Sequence, residues 1–275
     1  MRRVSSLLCT LVQVVAVAGP LTFAAPVVAG EFDCLIEARQ TVDVRSSVEA
    51  VIEKVHVKRG DFVRKGDVLV TLESGAEKAA LALAQSRATM QGEINAAEAR
   101  LELARKKWQQ AQELYEQKFV SATARDEAIA EYKLATEQLR QARENKVLAQ
   151  LEVKRSSEIL ALRTIRSPLS GVVVETVLSP GEFATSNLKD PILRLVEFNP
   201  LNVEVILPVG EFGRIKTGTK AIVLPEEPIG GEYTATVKIV DRIVDAASGT
   251  FGVRLELPNR RGGIPPGVRC RVRFP

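Results

Sequence analysis

The chain has 275 residues, 45% of them hydrophobic, enough for one large or two modest domains with a full apolar core. Lys and Arg number 38 against 34 Asp and Glu, a formal net charge of +4. Opposite charges interleave instead of gathering into a basic face, which argues against a nucleic-acid binder.

The N-terminus sets the compartment. Arg2 and Arg3 precede an apolar run from Val4 to Ala18, then Gly19-Pro20, then Val27-Val28-Ala29, whose small residues suit a signal peptidase. A signal peptide is therefore expected over residues 1–29, cut after Ala29, with the mature protein soluble and exported. A retained anchor is the alternative, but the run falls short of the ~20 apolar residues of a bilayer span. Cleavage removes two arginines, leaving 4 − 2 = +2, and also removes Cys9. The mature chain keeps Cys34 and Cys270, an even number for an oxidising compartment. They form one disulfide or remain two thiols, and spacing alone does not choose; pairing requires the first mature strand and the last strand to be neighbours.

Short strands are expected at Glu31 to Ile36 and Thr41 to Arg45. Ala50 to Val57 alternates, with Val51, Glu53, Val55 and Val57 on one face and Ile52, Lys54 and His56 on the other. Turns at Arg59-Gly60-Asp61 and Lys65-Gly66-Asp67 bracket Phe62-Val63, and Val68 to Leu72 is the next strand. The order is mirrored after residue 162: a turn at Ser167 to Gly171, a strand from Val172 to Val177, a turn at Ser179 to Glu182, and a strand from Ile192 to Val196. These two stretches are copies. At an offset of 166 − 45 = 121, Arg45 matches Arg166, Ser46 matches Ser167, Val51 matches Val172, Gly60 matches Gly181 and Phe62 matches Phe183, with Asp61 and Glu182 matched in charge.

Between the copies, proline is absent and helix formers dominate. In the first arm Ala80, Arg87, Ile94, Leu101, Trp108 and Tyr115 recur every seventh residue, interleaved with Leu83, Met90, Ala97, Ala104 and Ala111. In the second, Tyr132, Leu139, Lys146, Val153 and Leu160 do so, interleaved with Ala128, Ala135, Ala142, Ala149 and Ser156. Each arm thus carries a heptad seam and, at about 40 residues, reaches roughly 60 Å. With a bend near residues 119–120, antiparallel partners sum to 239 or 240: Trp108 faces Tyr132, Leu101 faces Leu139, Ala104 faces Ala135 and Ala97 faces Ala142. Only Gly92 disturbs helix propensity, Lys146 snorkels out of the seam, and Ser121 or Thr123 caps the returning helix. The apolar pair Phe119-Val120 at the bend is expected to be exposed and to dock on a partner.

From Leu201 to Phe274 strands alternate with turns: Leu201 to Leu207, a short helical segment near Val209 to Ile215, then Ala221 to Leu224, Tyr233 to Val244, Thr250 to Leu257 and Val268 to Phe274. Regular spacing with one small helix predicts a compact barrel. Chemistry is thin throughout. His56 is the only histidine and Met90 the only internal methionine, so a metal site lacks converging ligands and no Ser/His/Asp set can be built. No metal, no cofactor and no enzymatic activity are expected.

In this order and with these motifs the chain resembles the periplasmic adaptor subunits, or membrane fusion proteins, of tripartite export systems, including the RND-efflux type. VRSSVEAVIEKVHVKRGDFVRKGDVLVTLES resembles half of a lipoyl-like domain, TIRSPLSGVVVETVLSPGEFA the other half, and LNVEVILPVGEFGRIKTGTKAIVL opens the family's β-barrel. The resemblance implies an α+β fold: a lipoyl-like β-sandwich split by a long antiparallel α-helical hairpin, followed by a small β-barrel. Its divisions fall at 30–40 (a strand joining the barrel), 41–73 and 163–197 (the lipoyl-like halves), 74–162 (hairpin) and 198–275 (barrel). A lipoyl or biotin carrier would need a tip lysine after Ser74; Lys78, the nearest, falls in the helix. The family's role implies a non-catalytic bridge between an inner-membrane transporter and an outer-membrane channel protein, with self-association into a ring, trimer or hexamer. Drug-efflux members carry an Arg, a Leu four residues on and a Ser seven beyond at the hairpin tip; Leu114 and Ser121 fit, and Gln110 stands at the Arg position. Many members continue past the barrel into a membrane-proximal domain, whereas the last predicted strand here ends at Phe274. Other readings are an adaptor of an ABC-type exporter and a free-standing periplasmic scaffolding or binding module.

Overall fold

The computed structural model describes residues 30–185 and 191–275. The signal peptide expected over residues 1–29 lies outside them. Two long strands run the length of the β structure. The first, β1 (Glu31–Val44), pairs antiparallel with β8 (Leu193–Pro208), from Cys34 opposite Val205 to Val44 opposite Leu193. Each replaces two short strands expected from the sequence. The breaks in alternation at residues 37–40 and 197–200 are one shared irregularity, where the register shifts between Ala38 and Gln40 without ending the ladder.

The lipoyl-like half lies on one side of that irregularity. Its strands are β2 (Ala50–Val55), β3 (Phe62–Val63), β4 (Val68–Leu72), β5 (Thr164–Arg166), β6 (Gly171–Thr176) and β7 (Phe183–Ala184). The repeat is reciprocal: Phe62 of β3 pairs with Val172 of β6, and Phe183 of β7 pairs with Val51 of β2. The turns obey the same exchange. Gly60 N–H donates to Val173 O at 2.8 Å and Gly181 N–H to Ile52 O at 2.8 Å, both glycines having the positive φ (94° and 90°) that a side chain would oppose. Ser46 and Ser167 are both buried, and their hydroxyls donate to Val48 O and Leu169 O. Each half thus completes the other around Ile52, Leu69, Leu72, Val173, Leu193 and Leu195, and neither has a core alone.

Beyond the irregularity β1 and β8 enter a six-stranded barrel with β9 (Lys220–Pro225), β10 (Tyr233–Val240), β11 (Thr250–Leu257) and β12 (Val268–Arg273). The order β1-β12-β9-β10-β11-β8 closes through the β1–β8 ladder, leaving no open edge. The expected helical segment is a single 3₁₀ turn, Val209–Glu211. The waist is tied by side chains: Phe62 meets Phe198 edge-on at 6.3 Å, and buried Asn259 donates through Nδ2 to Phe198 O (3.1 Å) and Ile264 O (2.8 Å).

The hairpin leaves this frame after β4. Its first arm is two helices, α1 (Gly75–Thr89) and α2 (Gly92–Glu116), and its second is the unbroken 40-residue α3 (Ala122–Ala161). Matching holds along α2 and α3: Trp108 stacks on Tyr132 at 5.1 Å, and Ala97, Ala104, Ala135, Leu139 and Ala142 are buried. Ion pairs Glu98–Arg143 and Lys107–Glu131 clamp the flanks. Along α1 the expected phase is wrong by one residue. Leu83 and Met90 are 53% and 68% exposed, and Ala84 is buried in their place. From Ala88 to Ile94 the first seam spans 94 − 88 = 6 residues where a heptad needs one more. Met90 meets the shortfall by leaving the helix, with φ −63° and ψ 131°. One extended residue rises ~3.3 Å against ~1.5 Å in a helix, which restores about the missing length.

Candidate functional site: the hairpin tip and flanks

At the tip, α2 closes with a Schellman pattern. Phe119 N–H donates to Leu114 O (2.8 Å) and Lys118 N–H to Tyr115 O (2.9 Å), with Lys118 at φ 63° in the place usually taken by glycine. Of the two expected caps for the returning helix it is Ser121 that serves, accepting from Ala124 N–H at 3.2 Å. The bend therefore points Phe119 outward at 75% exposure, while its neighbour Val120 is half-buried and so only half of the expected exposed pair is presented. Gln110 and Ser121 are exposed and Leu114 is half-buried, all within the last turns before and after the bend. The sequence reading missed Arg125, which lies 4.3 Å over the Tyr115 ring and pairs with Asp126 at 2.7 Å. The seam arithmetic contained the clue, since 115 + 125 = 240. The Asp126 hydrogen bond raises the Arg125 pKa further, so the tip cation is permanent.

The base is held as firmly. Arg163 pairs with Glu77 at 2.5 Å and also donates to Glu49 O, joining the first turn of α1 to the lipoyl-like half. Below the tip, both arms carry a second apolar line that the heptads do not use: Leu83 and Leu103 on the first, Leu134 and Leu148 on the second, all exposed. Counting 100° per residue, each line lies roughly 130–140° from its own seam and in the same rotational sense. Because the arms are antiparallel, equal rotation puts the two lines on opposite flanks, tilted toward one face. Leu103 and Leu134 also match in height, 103 + 134 = 237, close to the seam sums.

The remaining predicted residues are dispersed. Cys34 and Cys270 sit directly opposite on β1 and β12, with Cα atoms 4.8 Å apart and sulfurs 2.06 Å apart. His56 Nε2 bonds Thr71 Oγ1 at 2.8 Å on the lipoyl-like surface, and Lys78 is exposed on α1. Among the described residues no group of three or more His, Cys, Asp or Glu is placed to hold a metal, and no helix is long and apolar enough to cross a membrane.

With this geometry in hand, residues 40–189, more than half of the chain, match the model of the CzcB-like barrel-sandwich hybrid domain. The chain is 24% identical over 241 residues to the multidrug resistance protein MdtE of Escherichia coli K12, covering 83% of this chain and 59% of MdtE. It is 25% identical over 233 residues to the cobalt-zinc-cadmium resistance protein CzcB of Cupriavidus metallidurans, covering 85% of this chain and 42% of CzcB. The chain thus spans roughly half the length of these relatives. The fold is similar to that of MacA from Actinobacillus actinomycetemcomitans (TM-score 0.74, 23% identity, 90% of this chain and 78% of that one). It is also similar to the membrane fusion protein Spr0693 of Streptococcus pneumoniae (TM-score 0.60, 16% identity, 90% and 98%). Hairpin, interlocked lipoyl-like halves, barrel and domain match agree, and the chain belongs to the CzcB-like barrel-sandwich hybrid family.

Proposed function

We propose that this protein is a non-catalytic periplasmic adaptor that bridges an inner-membrane transporter of the RND type and an outer-membrane channel protein, and that it works as a ring. The observation that carries the reading is polarity. The hairpin tip with Phe119 stands at one end of the molecule, and Gly30, the expected first residue of the exported chain, stands at the barrel end, next to Glu31 opposite Arg273. A spacer that docks by its tip needs its base at the opposite end. The tip's exposed phenylalanine, its fixed Arg125 cation and Ser121 supply an apolar and polar contact for the channel, with Gln110 and Leu114 one to two turns behind.

The flanking lines support the ring. Copies set side by side at equal height bring Leu134 of one hairpin to Leu103 of the next. A ring of three hairpins turns by about 120° at each helix and a ring of six by about 150°, and the ~130–140° offset of the lines lies between them.

The test replaces Phe119 with Asp and Leu114 with Lys, separately, in cells whose resistance depends on this protein. Protein level and secretion should be unchanged while export falls at least tenfold, and the channel protein should no longer co-purify. Normal export by both variants would refute tip docking, and a wild-type protein that co-purifies with neither a transporter nor a channel would point to a free-standing scaffold.

A further inference from the structure

The barrel rim farthest from the hairpin has a character of its own. Register sets Glu31 beside Arg273 and Pro208 beside Thr250 at this rim, and two loops project past it, residues 209–219 and 241–249, joined where Val209 N–H donates to Gly249 O at 2.9 Å. They carry Ile243, at 84% the most exposed large apolar side chain among the described residues, together with exposed Val209 and Phe212. Phe212 is braced edge-on against Phe251, ring centroids 5.2 Å apart, so its exposed part is held outward. Lys216, Lys220 and Arg242 are exposed on the same rim, and none has an acidic partner among the described ion pairs. Three of the rim's acids are engaged: Glu211 by Arg214, Glu31 by Arg271 and Arg273, and Asp245 by the N–H groups of Ala247 and Ser248, while Asp241 lies against Gly252.

Free cations around protruding apolar tips are what an anionic lipid surface binds. A charged protein groove would instead favour paired rims around a concave floor, and these loops are convex points. We propose that this rim docks on an anionic phospholipid surface, with Val209, Phe212 and Ile243 entering the headgroup layer and Lys216, Lys220 and Arg242 meeting phosphates. The contact would hold the barrel end down on the membrane and set the hairpin pointing away from it. It does not depend on the channel contact, so export and lipid binding can fail separately.

The experiment uses the full chain with Ile243→Trp in a Trp108→Phe background, which leaves the indole at the rim as the sole tryptophan. Added to phosphatidylcholine vesicles containing phosphatidylglycerol, its emission should shift blue and be quenched by brominated acyl chains. In pure phosphatidylcholine it should stay unshifted. Lys216→Gln, Lys220→Gln and Arg242→Gln should each lower the ratio of buried to free indole by about fivefold, the factor for ~1 kcal/mol per basic residue. The wild-type indole of Trp108 on the hairpin should not respond. A rim indole that stays in water while the chain sediments with anionic vesicles overturns the proposal, as does a shift equal in both lipids and blind to the three substitutions. A shift seen only with inner-membrane vesicles and lost after protease treatment assigns the rim to a membrane protein and also overturns it.

Discussion

Cys34 and Cys270 are the residues on which the barrel's closure turns. Their 4.8 Å Cα separation lies within the range a disulfide spans, and they join the first strand to the last across 236 positions. In the chain-entropy model a loop that long stabilises the native state by about 5 kcal/mol. Cys34→Ser and Cys270→Ser, singly and together, should therefore lower the urea midpoint of the protein by similar amounts, with the double change adding little to either single one. Mass analysis of the non-reduced protein should find Cys34 and Cys270 in one bridged peptide; free thiols at both would remove the argument. The cysteine count suggested a bridge, but the register that makes these two neighbours is a property of the whole barrel and could not be read locally. Lys118 was illegible for another reason. A Schellman end normally declares itself by glycine, and here a lysine occupies the left-handed position.

At the level of elements, the hairpin seam was the most legible feature and the α1–α2 break the least. Heptads identify which side chains face the partner helix, and Trp108 on Tyr132 and Ala97 near Ala142 follow directly. A one-residue deficit is invisible in either arm alone, because Gln91 and Gly92 form no breaker strong enough to announce a stop; it emerges only when six residues must keep pace with seven on α3. If the deficit causes the break, adding the missing residue should heal it. Inserting one alanine between Met90 and Gln91 lengthens the Ala88-to-Ile94 interval from six to seven and should make the first arm a single helix. Far-UV circular dichroism should gain helix, the thermal midpoint should hold or rise, and protease nicking near Met90 should slow. A loss of helix, or a midpoint several degrees lower, would mean that the break has some other origin.

On the scale of the whole molecule, the sequence divided what the structure joins. The reading placed boundaries at residues 40 and 197, yet β1 and β8 pass through both as continuous strands, so the lipoyl-like half and the barrel share one frame, from which the hairpin rises. That frame fixes the height of every flank residue, and the ring can be tested at that level. Leu103 and Leu134 are both exposed in the isolated chain, so charging them should cost little folding stability. In a head-to-tail ring each contact joins the first arm of one copy to the second arm of the next, so Leu134→Glu alone places a charge against an apolar neighbour at every contact. Sedimentation should then show the protomer where the wild type shows larger species, and Leu103→Lys alone should do the same. Combined in one chain, the two charges face each other at every interface and should restore much of the assembly, more at low salt than at high. Rescue by the pair would be hard to obtain from a two-fold dimer that set Leu134 against Leu134, and a wild type that stays a protomer at every concentration would dispose of hairpin-driven assembly.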